Sequence, residues 1–367
     1  MNDLNPKIRT IYVHIGHHKT GSSSIQEALI KNSFLLRENN LYFFSKKPNG
    51  DMDSNTNEWV DQSWHYENIN QIRKPEDLAL QASKLPGNVV ISAESFSWVD
   101  NISSLEVFKK NLYFYFDNVI IIVYIRRQDK QIISHYQEET KGGIHQPPYN
   151  FYPSGNNSIP QYKKYFDKYL NYHYRLSKWG DVFGDKNIVI RIFEINELFK
   201  NDVVFDFFKI LGIYENIVSS RINESWSFQQ TKVGYLMSNI NMNKYFKRII
   251  HKNLDINSKL LPSSIEAKEF YSLYRKSNEL LNNRFYIKNN CIFDEDFSMY
   301  SESGNDKWTE DKANEAISNI LIAINNLKAK DLIIIAVRTK LLFLKNKFKF
   351  LSYYSREKNS YRDSEKT

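Results

Sequence analysis

The run His17-His18-Lys19-Thr20-Gly21-Ser22-Ser23-Ser24 gathers a cation, several hydroxyls and a glycine into one short stretch. The residues before it, Thr10 to Ile15, are β-branched and aromatic and read as a strand. Beyond it, Ile25, Ala28 and Leu29 repeat at helical spacing. A strand that turns through glycine into a helix offers unpaired backbone N–H groups and the positive end of the helix dipole. Lys19 adds charge, the serines add donors, and Gly21 permits close backbone approach. The chemistry such a loop serves is the binding of a phosphate or a sulfate. A serine-rich helix start with no ligand is the structural alternative.

An ATP-binding P-loop fits less well. Gly16 and Gly21 have the required four-residue gap, but that motif continues Gly-Lys-Ser/Thr. Here Ser22 follows Gly21 and the lysine stands two residues before it.

Two further constellations sit where strands end. Val119 to Ile125 is a continuous apolar run of the kind buried on both faces of a parallel sheet, and Arg126-Arg127-Gln128-Asp129 follow at once. Ser134 lies eight residues beyond Arg126, inside the next helix. Arginine suits phosphate because its planar fork grips two oxygens; Arg127 is the competing choice, or both are solvated salt-bridge partners. The strand Asn88 to Ala93 ends in Ser92-Ala93-Glu94. In α/β sheets ligands collect at the carboxyl ends of strands, so Glu94 is expected to face the same crevice as Lys19 and Arg126. The duller role for Glu94 is a helix N-terminal acid. Glu138 and Glu139 are rival carboxylates, and His17, His18 and His135 are candidate bases or acceptor contacts.

Lys19-Thr20-Gly21-Ser22-Ser23 resembles the 5′-phosphosulfate loop of sulfotransferases that use 3′-phosphoadenosine 5′-phosphosulfate. The longer string from His14 to Gly21 resembles bacterial members that act on glycans. The resemblance covers roughly residues 10–215. It implies a catalytic role for Lys19 and donor contacts from Lys19, Thr20, Gly21, Ser22, Ser23, Arg126 and Ser134, the last two holding the 3′-phosphate. It implies that Glu94 is the general base, a position filled by His or Glu in related enzymes, and that no metal is needed. Phe193, near a position where a ring often borders the nucleotide, is read as core. The C-terminal Arg-Lys-Gly element of cytosolic members is missing here.

Strands at 88–93, 119–125 and 187–193 alternate with helices at 76–84, 161–179 and 203–211. The expected fold is a P-loop-like doubly wound parallel α/β sheet flanked by helices, with a mostly helical C-terminal region. The expected divisions are a core with the donor site over 8–215, a helical acceptor-side region over 216–330, a basic amphipathic helix over 331–355 and a disordered tail over 356–367. The Pro/Gly/Asn-rich segment Gly142 to Pro160 reads as a long loop lining the acceptor side.

Composition narrows the remaining options. Hydrophobic content of 41% and charged content of 25% are those of an ordinary globular chain. Cys291 is the only cysteine, which excludes an intramolecular disulfide and a cysteine metal cluster. The polar start, Met1 to Thr10, reads as neither signal peptide nor anchor, and the cytoplasm is the expected compartment. Net charge is +8, but nine Lys/Arg against three Asp/Glu fall between Arg338 and Thr367. The body is close to neutral, so nucleic acid is not an expected partner. Ile334, Val337, Leu341, Leu344, Phe348 and Leu351 form a helical stripe beside Lys340, Lys345, Lys347 and Lys349. That stripe suits peripheral contact with the inner membrane surface or self-association. The expected acceptor is a glycan or glycolipid hydroxyl. The alternatives are a nucleotide-dependent kinase, and a non-catalytic nucleotide- or glycan-binding module on the same fold.

Overall fold

The computed structural model describes residues 8–61, 70–141, 157–162, 164–219, 226–240 and 242–341. Most of the loop expected over Gly142–Pro160, and everything beyond Leu341, lie outside the described residues.

Five strands make the main sheet. They are β1 (Thr10–His14), β2 (Leu41–Phe43), β5 (Asn88–Ser92), β6 (Asn118–Ile125) and β7 (Ile188–Ile192). A separate antiparallel pair, β3 (Val60–Asp61) and β4 (Gln71–Ile72), forms a small ribbon. The main order is β2-β5-β1-β6-β7, with every pairing parallel. The central strand β1 pairs Ile11 with Val89 on one side and with Val119 on the other.

The apolar run expected at 119–125 became β6 because both of its faces are covered. On one face Tyr124 and Ile122 join Val90 and the helices α1 (Ser22–Lys31), α2 (Ser33–Glu38) and α8 (Val203–Ile210), through Ile25, Leu29, Leu36 and Phe207. Side chains of the opposite alternation, Ile11, Val13, Val89, Ile91, Ile121 and Val123, are buried too. On that side lie α3 (Pro75–Ser83), α4 (Ile102–Tyr115) and α7 (Tyr172–Phe183), where Phe108 meets Phe183 edge-on. Each such aliphatic or aromatic side chain contributes roughly 1.5–3 kcal/mol when fully buried.

The single helix expected over 161–179 is two helices, α6 (Asp167–Leu170) and α7. Asn171 separates them: its side chain accepts the N–H of Tyr174 and caps α7. The helix α5 (Gln128–Lys141) follows β6, as its sequence position indicates.

The chain forms two compact units that do not follow chain order. The sheet unit comprises Met1–His135, Ile159–Ser225 and Ser263–Ser303. It therefore takes in α11 (Ser264–Ser272) and α12 (Arg275–Phe285), residues that the sequence placed in the helical region after 215. The second unit comprises Tyr136–Ser158, Trp226–Pro262 and Gly304–Thr367. Its α9 (Phe228–Asn239), α10 (Lys244–Asn253) and α13 (Glu310–Asn325) share a core of Val233, Met237, Ile250, Leu254 and Ala316. Among the described residues no helix is long and apolar enough to cross a membrane.

Candidate active site

The loop between β1 and α1 leaves the sheet through Ile15, whose N–H still donates to Ile122 O in the ladder direction (2.9 Å). It then turns through three left-handed residues, Gly16 (φ +48°), Lys19 (φ +64°) and Gly21 (φ +84°). Two of these must be glycine for reasons of space as well. A Cβ on Gly16 would stand 3.0 Å from Ser22 Oγ and 3.2 Å from Glu94 Cα. One on Gly21 would stand 2.7 Å from Val203 Cγ1 and 3.1 Å from Phe193 Cε2. The loop is thus pressed against Glu94 at one end and against Phe193 at the other.

Its hydroxyls divide into two sets. Thr20 is buried and donates to His17 O (2.6 Å), and the buried Ser22 makes a longer contact with the same carbonyl (3.5 Å). These two shape the turn. Ser23 is exposed and Ser24 is half-buried. The N-cap of α1 is Gly21, with no side-chain cap and no acid in the first turn. Among the described residues, the first N–H groups of α1 therefore have no carboxylate or hydroxyl cap from their own helix start competing for them.

Glu94 begins a short 3-10 turn, Glu94–Trp98, directly beyond β5, and its side chain is 23% exposed. Its Oε2 lies 4.0 Å from His18 Nε2. The other ring nitrogen, His18 Nδ1, faces the indole N–H of Trp98 at 3.2 Å. An indole can only donate, so Nδ1 is the acceptor and the neutral imidazole carries its proton on Nε2, toward Glu94. The amide of Gln131 fixes the same residue by donating to His18 O (2.6 Å). Trp98 stacks on Tyr169, with ring centres 5.0 Å apart and planes within 11°. His18 is therefore fixed beside a packed aromatic wall, with the Glu94 carboxylate 4.0 Å from its Nε2.

The two arginines after β6 have different surroundings. Arg127 is buried, forms an ion pair with Asp129 (2.8 Å) and donates to Asp294 O and Asp296 O. Its guanidinium also lies over Phe297, 4.1 Å from the ring centre. Arg126 has its guanidinium 5.7 Å above Phe193, and its buried Nε has no hydrogen-bond partner among the described residues. An unsatisfied buried donor on an arginine is uncommon. Ser134 is half-buried in the second turn of α5. Glu138 is exposed on the same helix, and the side chain of Glu139 lies outside the described residues.

Phe193, read from sequence as core, has a second position in this arrangement: it contacts the loop glycine and carries Arg126 above its face. Arg175, Trp98, Tyr169 and Gln131 were not legible as site residues. The buried Arg175 donates to Ser97 O (3.0 Å) and Tyr169 O (2.8 Å), and approaches His17 Nε2 (3.5 Å). Burial lowers its pKa to about 10, so it stays charged at neutral pH and adds positive potential beneath the loop. Nearby, a cavity of about 150 Å³ between Lys130, Glu194 and Lys288 has its cations already paired, Lys130 with Glu194 and Lys288 with Glu197. It is also smaller than a nucleotide site, which needs at least about 300 Å³.

Burial holds three histidines of this region neutral. His14, hydrogen-bonded to Ser92 Oγ (2.8 Å), is lowered to about 3. His135 is also lowered to about 3, by burial and then by His18 and Lys19. His17 is pushed well below its usual 6.5 by burial and by Arg175. His17 shares the direction; for His14 and His135 the folded pKa values are depressed, so their stabilising effect is complete above pH 6.5 and is lost as pH falls toward 3. Between those limits each costs about 1.4 kcal/mol per pH unit as the unfolded chain takes up protons that the folded one excludes. Thermal melts from pH 7.5 to 4.5 should show a steep fall in Tm beginning near pH 6. A flat profile would contradict this burial.

No family model matches the chain. A stretch of 126 residues is 30% identical to an uncharacterized protein of Archaeoglobus fulgidus, covering 34% of this chain and only 30% of that protein. Two solved structures align loosely. A sulfotransferase from Alicyclobacillus acidocaldarius is 14% identical, with a TM-score of 0.36 over 75% of this chain and 95% of the other. Mouse sulfotransferase SULT7A1 complexed with PAP is 12% identical, with a TM-score of 0.29 over 87% and 85%.

Proposed function

We propose that this chain transfers a sulfuryl group from 3′-phosphoadenosine 5′-phosphosulfate to a hydroxyl, with a glycan or glycolipid as the acceptor class. The observation that carries the reading is the pair of candidate anion grips that both meet Phe193: the Lys19–Ser24 loop through Gly21, and Arg126 with its orphaned Nε. A donor phosphorylated at both ends of its ribose needs two such grips. A simple phosphate or sulfate needs one.

The residues then divide the work. Lys19 and the first N–H groups of α1 hold the 5′-phosphosulfate and stabilise the charge that grows on its bridging oxygen. Arg126, with Ser134 nearby in sequence, takes the 3′-phosphate. Glu94 accepts the acceptor's proton as its oxygen attacks sulfur, with His18 Nε2 4.0 Å from the carboxylate. One S–O bond forms, the S–O bond to the phosphate breaks, and 3′,5′-adenosine bisphosphate leaves. The gain comes from alignment and from preorganised positive potential.

A thermal-shift comparison of 3′,5′-adenosine bisphosphate, ATP with magnesium, and AMP tests the donor class. The bisphosphate should raise Tm most. An ATP preference would replace this reading with a phosphotransferase.

A further inference from the structure

One buried charge beside the loop has no counter-charge. Arg175, on α7, is 6% exposed. Its guanidinium donates to Ser97 O from two nitrogens and to Tyr169 O from the third. Every acceptor in that set is a neutral carbonyl. Among the described residues no carboxylate pairs with Arg175, and Asp100, whose charge reaches it, is taken by Lys178 (3.6 Å). Buried cations are ordinarily paired, because taking one out of water without an anion is costly. A neutral donor could tie Ser97 and Tyr169 together without that cost.

The guanidinium reaches the loop through His17. Its NH1 stands 3.5 Å from His17 Nε2, and the His17 ring is itself buried, edge-on to Tyr169 and Tyr172. Burial and Arg175 together keep that ring neutral, so it supplies no counter-charge. Its Nδ1 is buried with no hydrogen-bond partner among the described residues. The backbone of the same residue closes the turn: His17 O accepts from Thr20 (2.6 Å) and meets Ser22 Oγ, the first residue of α1 (3.5 Å). Trp98 lies on the guanidinium as well, 5.6 Å from ring centre to charge. A charge walled by neutral rings is screened far less than one in water.

We infer that Arg175 is a positioning residue of the anion loop: it braces the turn through His17, and its unpaired charge is matched by the multiply charged anion that the loop binds. The inference rests on the reading of Lys19–Ser24 as an anion loop, and it adds the residue that makes the loop favour high negative charge.

Calorimetric titration of inorganic sulfate and of 3′,5′-adenosine bisphosphate into the full chain and its variants tests this. A unit charge about 10 Å from an anion, at an effective dielectric of about 20, is worth roughly tenfold in affinity. Arg175→Gln keeps an amide donor for the carbonyls and loses the charge, so both anions should bind about tenfold or more weakly. Arg175→Lys keeps the charge and should stay within about threefold of the parent chain, although both variants lose thermal stability through the vacated carbonyls. Arg175→Met, an apolar side chain in place of a buried charge, replaces Arg175→Gln if that chain does not fold. Equal weakening by the lysine and neutral variants, or parent-like affinity in a neutral variant, would make Arg175 purely structural and overturn the inference while the loop reading stands. A parent chain that binds neither anion overturns the loop reading and this inference with it.

Discussion

Glu94→Gln is expected to lower turnover by about 10²–10⁴-fold, the usual range for losing a positioned general base, while affinity for 3′,5′-adenosine bisphosphate stays as in the parent chain. The amide keeps the size of the side chain, so the contacts around Gly16 should survive. What it cannot do is receive a proton. Steady-state rates with a labelled sulfuryl donor, read beside a bisphosphate titration, separate the two effects. Retained turnover would remove Glu94 from the chemistry. Lost nucleotide affinity would mean that the carboxylate supports the donor loop instead.

The second large effect separates neighbours. Arg126→Ala should leave the fold intact and weaken bisphosphate binding by about 1.5–3 kcal/mol, the range for hydrogen bonds to a charged group. Arg127→Ala should instead cost about 3–5 kcal/mol of stability, because Asp129 would be left buried without its partner. Denaturant melts and nucleotide titrations on both variants decide the matter. The reverse pattern would exchange the roles assigned to the two arginines.

Most of the sheet was readable because β5 and β6 are apolar on both faces and the edge strand β7 is a β-branched run broken only by Arg191. The expected runs at 88–93, 119–125 and 187–193 lie within a residue of β5, β6 and β7. The edge strand β2 was not readable: Leu41-Tyr42-Phe43 is only three residues long, and its pairing with Asn88–Val90 is remote in sequence. The positions of Lys19, Glu94 and Arg126 just beyond β1, β5 and β6 were legible because the strands before them were. Trp98, Tyr169 and Arg175 were not, because their places come from long-range packing, the stacked rings and the Ser97 carbonyl. The different surroundings of Arg126 and Arg127 were not legible either, since Asp294 and Asp296, which engage the latter, are remote in sequence.

The proposed chemistry turns on one nucleotide being held at two phosphate positions beside Phe193. Calorimetric titration of 3′,5′-adenosine bisphosphate and of AMP, into the parent chain and into Arg126→Ala, tests this without an acceptor. The 3′-phosphate should raise affinity about tenfold or more in the parent chain. That advantage should disappear in Arg126→Ala, where the two nucleotides are expected to bind alike. Equal affinities in the parent chain, or an advantage that persists without Arg126, would contradict the two-grip site.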